Sequence, residues 1–289
     1  MAQGRHLAQC RGARFALRGR ARPVPERKRP RRLAKPRRTG HNIEAVTKAS
    51  DPFIHHPVLR GRIVEPEKSS FRTFEPSDLD AAMKAQGMPD NWRYSDEKRE
   101  ALRKAALAER EGQDLWVFAY GSLMWNPAFL FAEVRHGRVD GYARSFCLYD
   151  TRGGRGTKEQ PGLMAALDRG DHCHGLVFRI AAGLVEAESR ILFKREMLMG
   201  SYVPGFVACE TGHGTVDALT FVANHAAPHI RTDIPYADKV RFIATGTGRL
   251  GSSREYLENL ADHFEALDID DPEVFGLLND VRAWSGAAE

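Results

Sequence analysis

Between residues 115 and 180 the sequence offers strand after strand and almost no room for a helix. LWVFAY (115–120) is a short aromatic and β-branched run ended by Gly121. GRVDGYARSFCLYD (137–150) contains a second strand, GLMAALD (162–168) a third and HGLVFRI (174–180) a fourth. Parallel neighbours need a crossover of a dozen or more residues, usually a helix, and these short intervals do not supply one. The pattern predicts an α+β fold: a small, mainly antiparallel, barrel-like β-sheet flanked by α-helices.

Helices are expected at three places. SDEKREALRKAALAER starts at a capping Ser95, carries Asp96 and Glu97 at its positive end, and turns Leu102, Ala105, Ala106 and Leu107 to one side. Residues 184–199 form a second, and the chain from Ser252 onward is mostly helical. VDALTFVA (216–223) adds one more strand.

Charge divides the chain. Residues 1–40 hold 14 Lys+Arg and a single acid, Glu26, leaving 29 Lys+Arg against 37 Asp+Glu in the rest. An acidic body with a basic tail gives a net charge of +5, which is no sign that the folded part binds nucleic acid. Residues 1–40 lack hydrophobic periodicity and are expected to be a disordered basic tail, or the product of a start codon placed too early. An organelle transit peptide fits less well, since the first serine is Ser50. Residues 41–94, with prolines at 52, 57, 66, 76 and 89, read as an irregular connector to a domain spanning 95–289. Cys10, Cys147, Cys173 and Cys209 form no CxxC pair, and no apolar run approaches the ~20 residues of a membrane helix. A cytoplasmic protein without membrane attachment is the expectation.

GTGRLG (246–251) matches the glycine fingerprint of dinucleotide-binding folds. Only 38 residues follow it, too few for the strand–helix units such a fold still needs. It is expected to be a glycine turn leading into a helix capped by Ser252, with Glu255 completing a capping box. Cys173 between His172 and His174 is expected in a surface turn. Ser122 lacks the setting of a nucleophile elbow, and the pairs His55/His56 and His172/His174 lack a third ligand at a diagnostic spacing. Neither a metal nor a cofactor is expected.

Two segments carry chemistry. In FAYGSLMWNP (118–127) a buried strand runs into Gly121 and Ser122, where backbone N–H groups can converge on an anion or a carbonyl oxygen. In SRILFKREMLMGSY (189–202), about 100° per residue puts Glu196 on the side of Val185, Leu192 and Met199, with Glu186, Arg190 and Lys194 on the solvated side. A carboxyl among core residues has a raised pKa and suits general acid/base work near neutral pH. The alternative is that Glu196 merely pairs with a core arginine, Arg144 or Arg179.

FAYGSLMWNP, GYARSFCL, RGTKEQPGLMAALD, CHGLVFRI, FKREMLMGSYVP and GxLGSSREYL, in that order over about residues 115–285, resemble the ChaC-type γ-glutamylcyclotransferases. The resemblance implies a small β-barrel with flanking helices. It also implies cleavage of a γ-glutamyl peptide, chiefly glutathione, into 5-oxoproline and cysteinylglycine without a cofactor. It places the general acid/base at Glu196. The implied substrate-binding set is Val117, Phe118, Ala119, Tyr120, Gly121, Ser122 and Leu123, with Arg144, Tyr202 and Tyr256. Gly-Ser-Ser (251–253) replaces the usual GTN before Tyr256, and residues 1–90 have no counterpart in the pattern. Two other readings compete: the same cyclisation on other γ-glutamyl amino acids or amines, and a non-enzymatic binder of nucleic acid or an acidic partner through the basic tail. The latter predicts binding that collapses with salt and survives loss of Glu196.

Overall fold

Five strands close into a barrel: β1 (Leu115–Ala119), β2 (Glu133–Asp150), β3 (Gly162–Ile180), β4 (Tyr202–Thr211) and β5 (Gly214–Ala223), in the spatial order β1-β3-β2-β4-β5. The computed structural model describes residues 51–286, so the expected tail at 1–40 lies outside them. Neighbours around the barrel are antiparallel except where β5 meets β1, with Trp116 opposite Ala218. A single parallel pair, Leu167 with Val222, adds a contact from β3 to β5. The α+β, mainly antiparallel barrel with flanking helices is therefore what the chain forms.

Alternation along β1 shows how the barrel is filled. Phe118 joins Val139, Leu167, Val177, Val207 and Ala218 in a cluster whose strand residues come from all five strands and which takes nothing from a helix. Its neighbours Val117 and Ala119 point the other way, into the larger core with Phe178 and Phe221. The helices α6 (Ser253–Ala266) and α7 (Pro272–Ala283) add Leu257, Leu260, Leu277 and Leu278 to that larger core. Phe118 is thus sealed inside the barrel rather than turned to a substrate.

Three expectations need correction. The third and fourth strands are one, because the polar stretch Asp168–His172 stays paired with β2 across a bulge, Ala143 opposite Asp168 and Asp140 opposite His172. Polar residues on an exposed mid-strand stretch resemble a turn in sequence. Cys173 is accordingly a buried strand residue, 2 % exposed, and not part of a surface turn. Strand β4 went unpredicted because Pro204 and Gly205 argue against a strand. It meets β2 at only two residue pairs near its far end, so a missing N–H at Pro204 costs no second ladder.

The third correction concerns residues 51–94. They are irregular as expected, with 3-10 turns and the short helices α1 (Ser70–Thr73) and α2 (Asp80–Ala85), but they do not connect; they pack. Leu59 and Ile63 lie in the larger core, and Met83 is 1 % exposed. Val64 donates its N–H to the Trp125 carbonyl at 2.7 Å, and Tyr94 to that of Leu198 at 2.9 Å. Arg72 makes two hydrogen bonds, 2.8 and 2.9 Å, to the carboxylate of Glu188, which is 2 % exposed. Residues 51–286 belong to one compact unit, so the domain boundary lies before Asp51 and not at residue 95.

Helix α3 (Asp96–Leu107) is capped by Ser95, whose Oγ accepts the Lys98 N–H at 3.2 Å. Its buried residues are Arg99 and Arg103, while Leu102, Ala106 and Leu107 are half-buried and Ala105 is exposed. Arg103 docks it on α4 (Val185–Glu196) through Glu186 and Ser189. VRFIA belongs to the helix α5 (Tyr236–Thr245), and GTGRLG folds into a hairpin of two-residue strands, β6 (Thr247–Gly248) and β7 (Gly251–Ser252). The glycines there are set by packing: a Cβ on Gly248 would stand 2.3 Å from the Gly154 carbonyl oxygen. Ser252 Oγ then accepts the Glu255 N–H at 3.0 Å and starts α6. That is the structural turn the sequence suggested.

Candidate active site

The end of β1 and the end of α4 meet at a cleft holding about 380 Å³ of space outside the atoms. After Ala119 the chain leaves the barrel. Tyr120 turns inward and donates its hydroxyl to the Phe221 carbonyl at 2.7 Å, while its own carbonyl accepts from Arg144 Nε at 2.8 Å. Gly121 then leads into a 3-10 turn over Ser122–Met124, whose first N–H groups have no partner inside the turn. Tyr256 of α6 lies against this loop, its ring edge-on to Trp125 with centroids 5.2 Å apart. A Cβ added to Gly121 would sit 2.5 Å from the Tyr256 hydroxyl, so the glycine is what lets the phenol come this close.

Glu196 is the last residue of α4, and its side chain is 13 % exposed into the cleft. Neither expected alternative partner holds it. Arg144 binds Asp271 at 2.6 Å, and Arg179 binds Asp114 and Glu133. Its ion partner is the adjacent Arg195, Nε to Oε1 at 3.0 Å. Arg195 also donates from Nη2 to Ser122 Oγ at 2.7 Å and from Nη1 to the Asn126 carbonyl, and it lies 4.2 Å from the Phe71 ring centroid. One guanidinium therefore ties the carboxylate to the glycine-serine loop. With its oxygen already accepting from Arg195, the Ser122 hydroxyl has its own proton free for the cleft.

Burial pushes the Glu196 carboxyl above the usual carboxylate range, opposed in part by Arg195. Tyr120 and Tyr202 are driven well above the ordinary phenol value by burial, and Tyr256 to about 12 for the same reason. At neutral pH all three tyrosines keep their protons; Tyr120 spends its own on the Phe221 carbonyl, leaving Tyr202 and Tyr256 as donors to the cleft. The arrangement thus offers one proton acceptor of raised pKa facing a set of neutral donors, which suits proton transfer at a polarised carbonyl.

Of the residues expected at the site, Glu196, Tyr120, Gly121, Ser122, Leu123, Tyr202 and Tyr256 line the cleft together. Val117, Phe118 and Ala119 do not. They are core residues with essentially no exposure, since a strand entering a barrel buries both faces. Arg144 does not either: it spans Tyr120 O, His174 O and Asp271, a brace behind the loop. Arg195 was missed, although the 100° arithmetic that singles out Glu196 places Arg195 about 60° to the other side of Leu192. Met164, Leu148 and Phe221, the apolar part of the lining, carry no signal that separates them from core.

The competing chemistries find no support in the geometry. Ser201 Oγ and His229 Nε2 are 2.7 Å apart and buried, but His229 Nδ1 faces the donor Arg152 Nη1 at 3.2 Å. An Nδ1 that accepts leaves Nε2 protonated, so His229 donates to Ser201 and is no base for it. Among the described residues no three His, Cys, Asp or Glu side chains gather as a metal site.

The sequence model of the family described as ChaC-like protein matches residues 115–284. The chain belongs to the ChaC-like family. The glutathione-specific gamma-glutamylcyclotransferase of Escherichia coli K12 is 37 % identical over 191 residues, covering 65 % of this chain and 82 % of that protein. The glutathione-specific gamma-glutamylcyclotransferase 1 of Danio rerio is 31 % identical over 170 residues, covering 56 % and 86 %. A crystal structure of a gamma-glutamyl cyclotransferase specific to glutathione from yeast superposes with a TM-score of 0.53 at 20 % identity, covering 60 % of this chain and 97 % of that one. That likeness shows that the ChaC-like chain shares the barrel fold. Residues 51–114 lie outside the family match, although the structure packs them against it.

Proposed function

We propose that this chain cyclises the γ-glutamyl group of glutathione, releasing 5-oxoproline and cysteinylglycine, with Glu196 as general acid/base. The observation that carries the reading is the single carboxyl of raised pKa in the cleft, held 3.0 Å from Arg195 and opposite the Gly121–Ser122 turn. The substrate's α-ammonium gives a proton to Glu196, and the freed amine attacks the γ-carbonyl carbon. As the carbon–nitrogen bond to the cysteinyl unit breaks, Glu196 returns the proton to the leaving nitrogen; the ring nitrogen then gives up its second proton, which the released amine takes up as it becomes an ammonium. The N–H groups of Ser122 and Leu123 and the Ser122 hydroxyl receive the developing oxyanion. Holding the glutamyl chain curled between Tyr202 and Tyr256 supplies the proximity that ring closure needs. Incubating the whole chain with glutathione and following both products by mass spectrometry tests the reading; their absence would remove it.

The pH profile carries a signature. A base works only when deprotonated, and burial moves Glu196 upward. The acidic limb of kcat/KM is therefore expected above 4.5, the ordinary glutamate value, with activity lost as pH falls through it. The alkaline limb belongs to the substrate's own ammonium, near ~8. An acidic limb at or below 4.5 would take the base role from Glu196.

Gly121 makes a steric prediction. In Gly121→Ala the new methyl meets the Tyr256 hydroxyl, whose ring is buried edge-on to Trp125. We expect kcat/KM to fall by about tenfold or more, the scale of a small misplacement at a reacting centre. Removing that hydroxyl as well, in Gly121→Ala/Tyr256→Phe, should recover part of the loss, because the remaining ring carbon is 3.6 Å away. Additive effects in the double variant would show that the two positions do not touch.

All three cysteines among the described residues are free and buried, and no described helix is long and apolar enough to cross a membrane. Unpaired thiols beside a thiol substrate support placement in a reducing cytoplasm.

A further inference from the structure

Arg155 is a buried cation whose only ion-pair partner is long and exposed. It sits in the loop between β2 and β3, 8 % exposed, and every part of it except the guanidinium edge is tied down. Its N–H goes to the Asp150 carboxylate, which also takes the Arg152 N–H. Its carbonyl accepts from Ser253 Oγ at 3.2 Å, and Nη1 donates to the Ser252 carbonyl at 2.7 Å. The guanidinium itself pairs with one acid, Glu255, at 4.0 Å, and that carboxylate is 59 % exposed, a weak partner for a buried cation. Nε and Nη2 have no hydrogen-bond partner among the described residues, and neither is sealed from solvent.

The guanidinium carbon stands 5.4 Å from the ring centroid of Tyr256, a wall of the cleft. Around the cleft Arg195 is matched at 3.0 Å by the half-buried Glu196, whereas Arg155 has only the exposed Glu255 at 4.0 Å. A guanidinium removed from water loses solvation that only a close anion restores, and its planar fork fits a carboxylate with two parallel N–H donors. Arg155 stands behind Tyr256 rather than in the lining itself, and unlike Arg144, which spends its guanidinium on two carbonyls and Asp271, it keeps two nitrogens for a carboxylate.

We infer that Arg155 holds a carboxylate of the γ-glutamyl peptide. This rests on the reaction proposed above. Two groups of that substrate offer the same chemistry: the α-carboxylate of the glutamyl unit and the terminal carboxylate of the glycyl unit.

The test uses the full chain, unaltered and as Arg155→Met and Arg155→Lys, with glutathione and with glutathione whose glycyl carboxylate is an amide. Loss of a charged hydrogen-bond pair should raise KM for glutathione about 10- to 100-fold in Arg155→Met, with kcat within about threefold and Arg155→Lys between the two. If the glycyl carboxylate is the ligand, the amide binds the unaltered chain as weakly as glutathione binds Arg155→Met, and the substitution then adds nothing. If the α-carboxylate is the ligand, the amide binds the unaltered chain normally and Arg155→Met still weakens it. KM unchanged within twofold, or kcat falling while KM stays, would overturn the inference and leave Arg155 a prop for Tyr256. Calorimetric binding of glutathione separates the two proposals. Binding without turnover, weakened tenfold in Arg155→Met, keeps the carboxylate contact and removes the reaction; neither binding nor turnover removes both.

Discussion

Replacing Glu196 by glutamine is expected to lower kcat for glutathione cyclisation by about 10²- to 10⁴-fold, the range that a positioned acid/base contributes. The chain should still fold and melt within a few degrees of the unaltered protein. Glutamine keeps the shape of the side chain and an oxygen that can face Arg195 Nε, so the clamp from Arg195 to Ser122 and Asn126 survives. What it cannot do is take a proton from an ammonium. The measurement is product formation by mass spectrometry alongside a thermal melt. Activity equal to the unaltered chain would remove Glu196 from the chemistry. A collapsed melting point would instead make it a partner Arg195 needs in order to be buried.

How much of this was legible follows from which forces act locally. The glycine-serine turn and Glu196 could be read because a strand's end and a helix's face are local properties of consecutive residues. The barrel could be read because antiparallel neighbours leave a trace in the spacing of strands. Residues without a local signature were lost or misplaced. Phe118 and Arg144 stand in or beside the right motifs, yet one fills the barrel and the other braces the loop from behind. Which face of β1 looks inward depends on the pairing of Val117 with both Phe178 and Leu219, a contact no periodicity within β1 encodes. Arg155 was passed over for a different reason. A glycine-rich, charged loop looks solvated, and only the Ser252 carbonyl from 97 residues later makes it a buried guanidinium.

A chain reduced to residues 91–289, the piece an irregular connector would permit one to isolate, is expected not to fold. It loses Leu59, Ile63 and Met83, exposed by 0 %, 5 % and 1 %, each contributing roughly 1.5–3 kcal/mol by burial. It also leaves Glu188, 2 % exposed, with one N–H from Leu130 and no cation. An uncompensated buried charge costs about 3–5 kcal/mol, and the whole fold is stable by only about 5–15 kcal/mol. Residues 48–289 should melt cooperatively where 91–289 does not. The ionic part can be isolated in the full chain. Arg72→Met should cost about 3 kcal/mol, a fall in Tm of roughly 6–12 °C for a domain of this size. Arg72→Met/Glu188→Leu should regain most of it, because an apolar pair no longer buries an unmatched carboxylate. A single variant melting within about 2 °C of the unaltered chain, the shift of about 1 kcal/mol or less, would show that the segment rests on the barrel without supporting it.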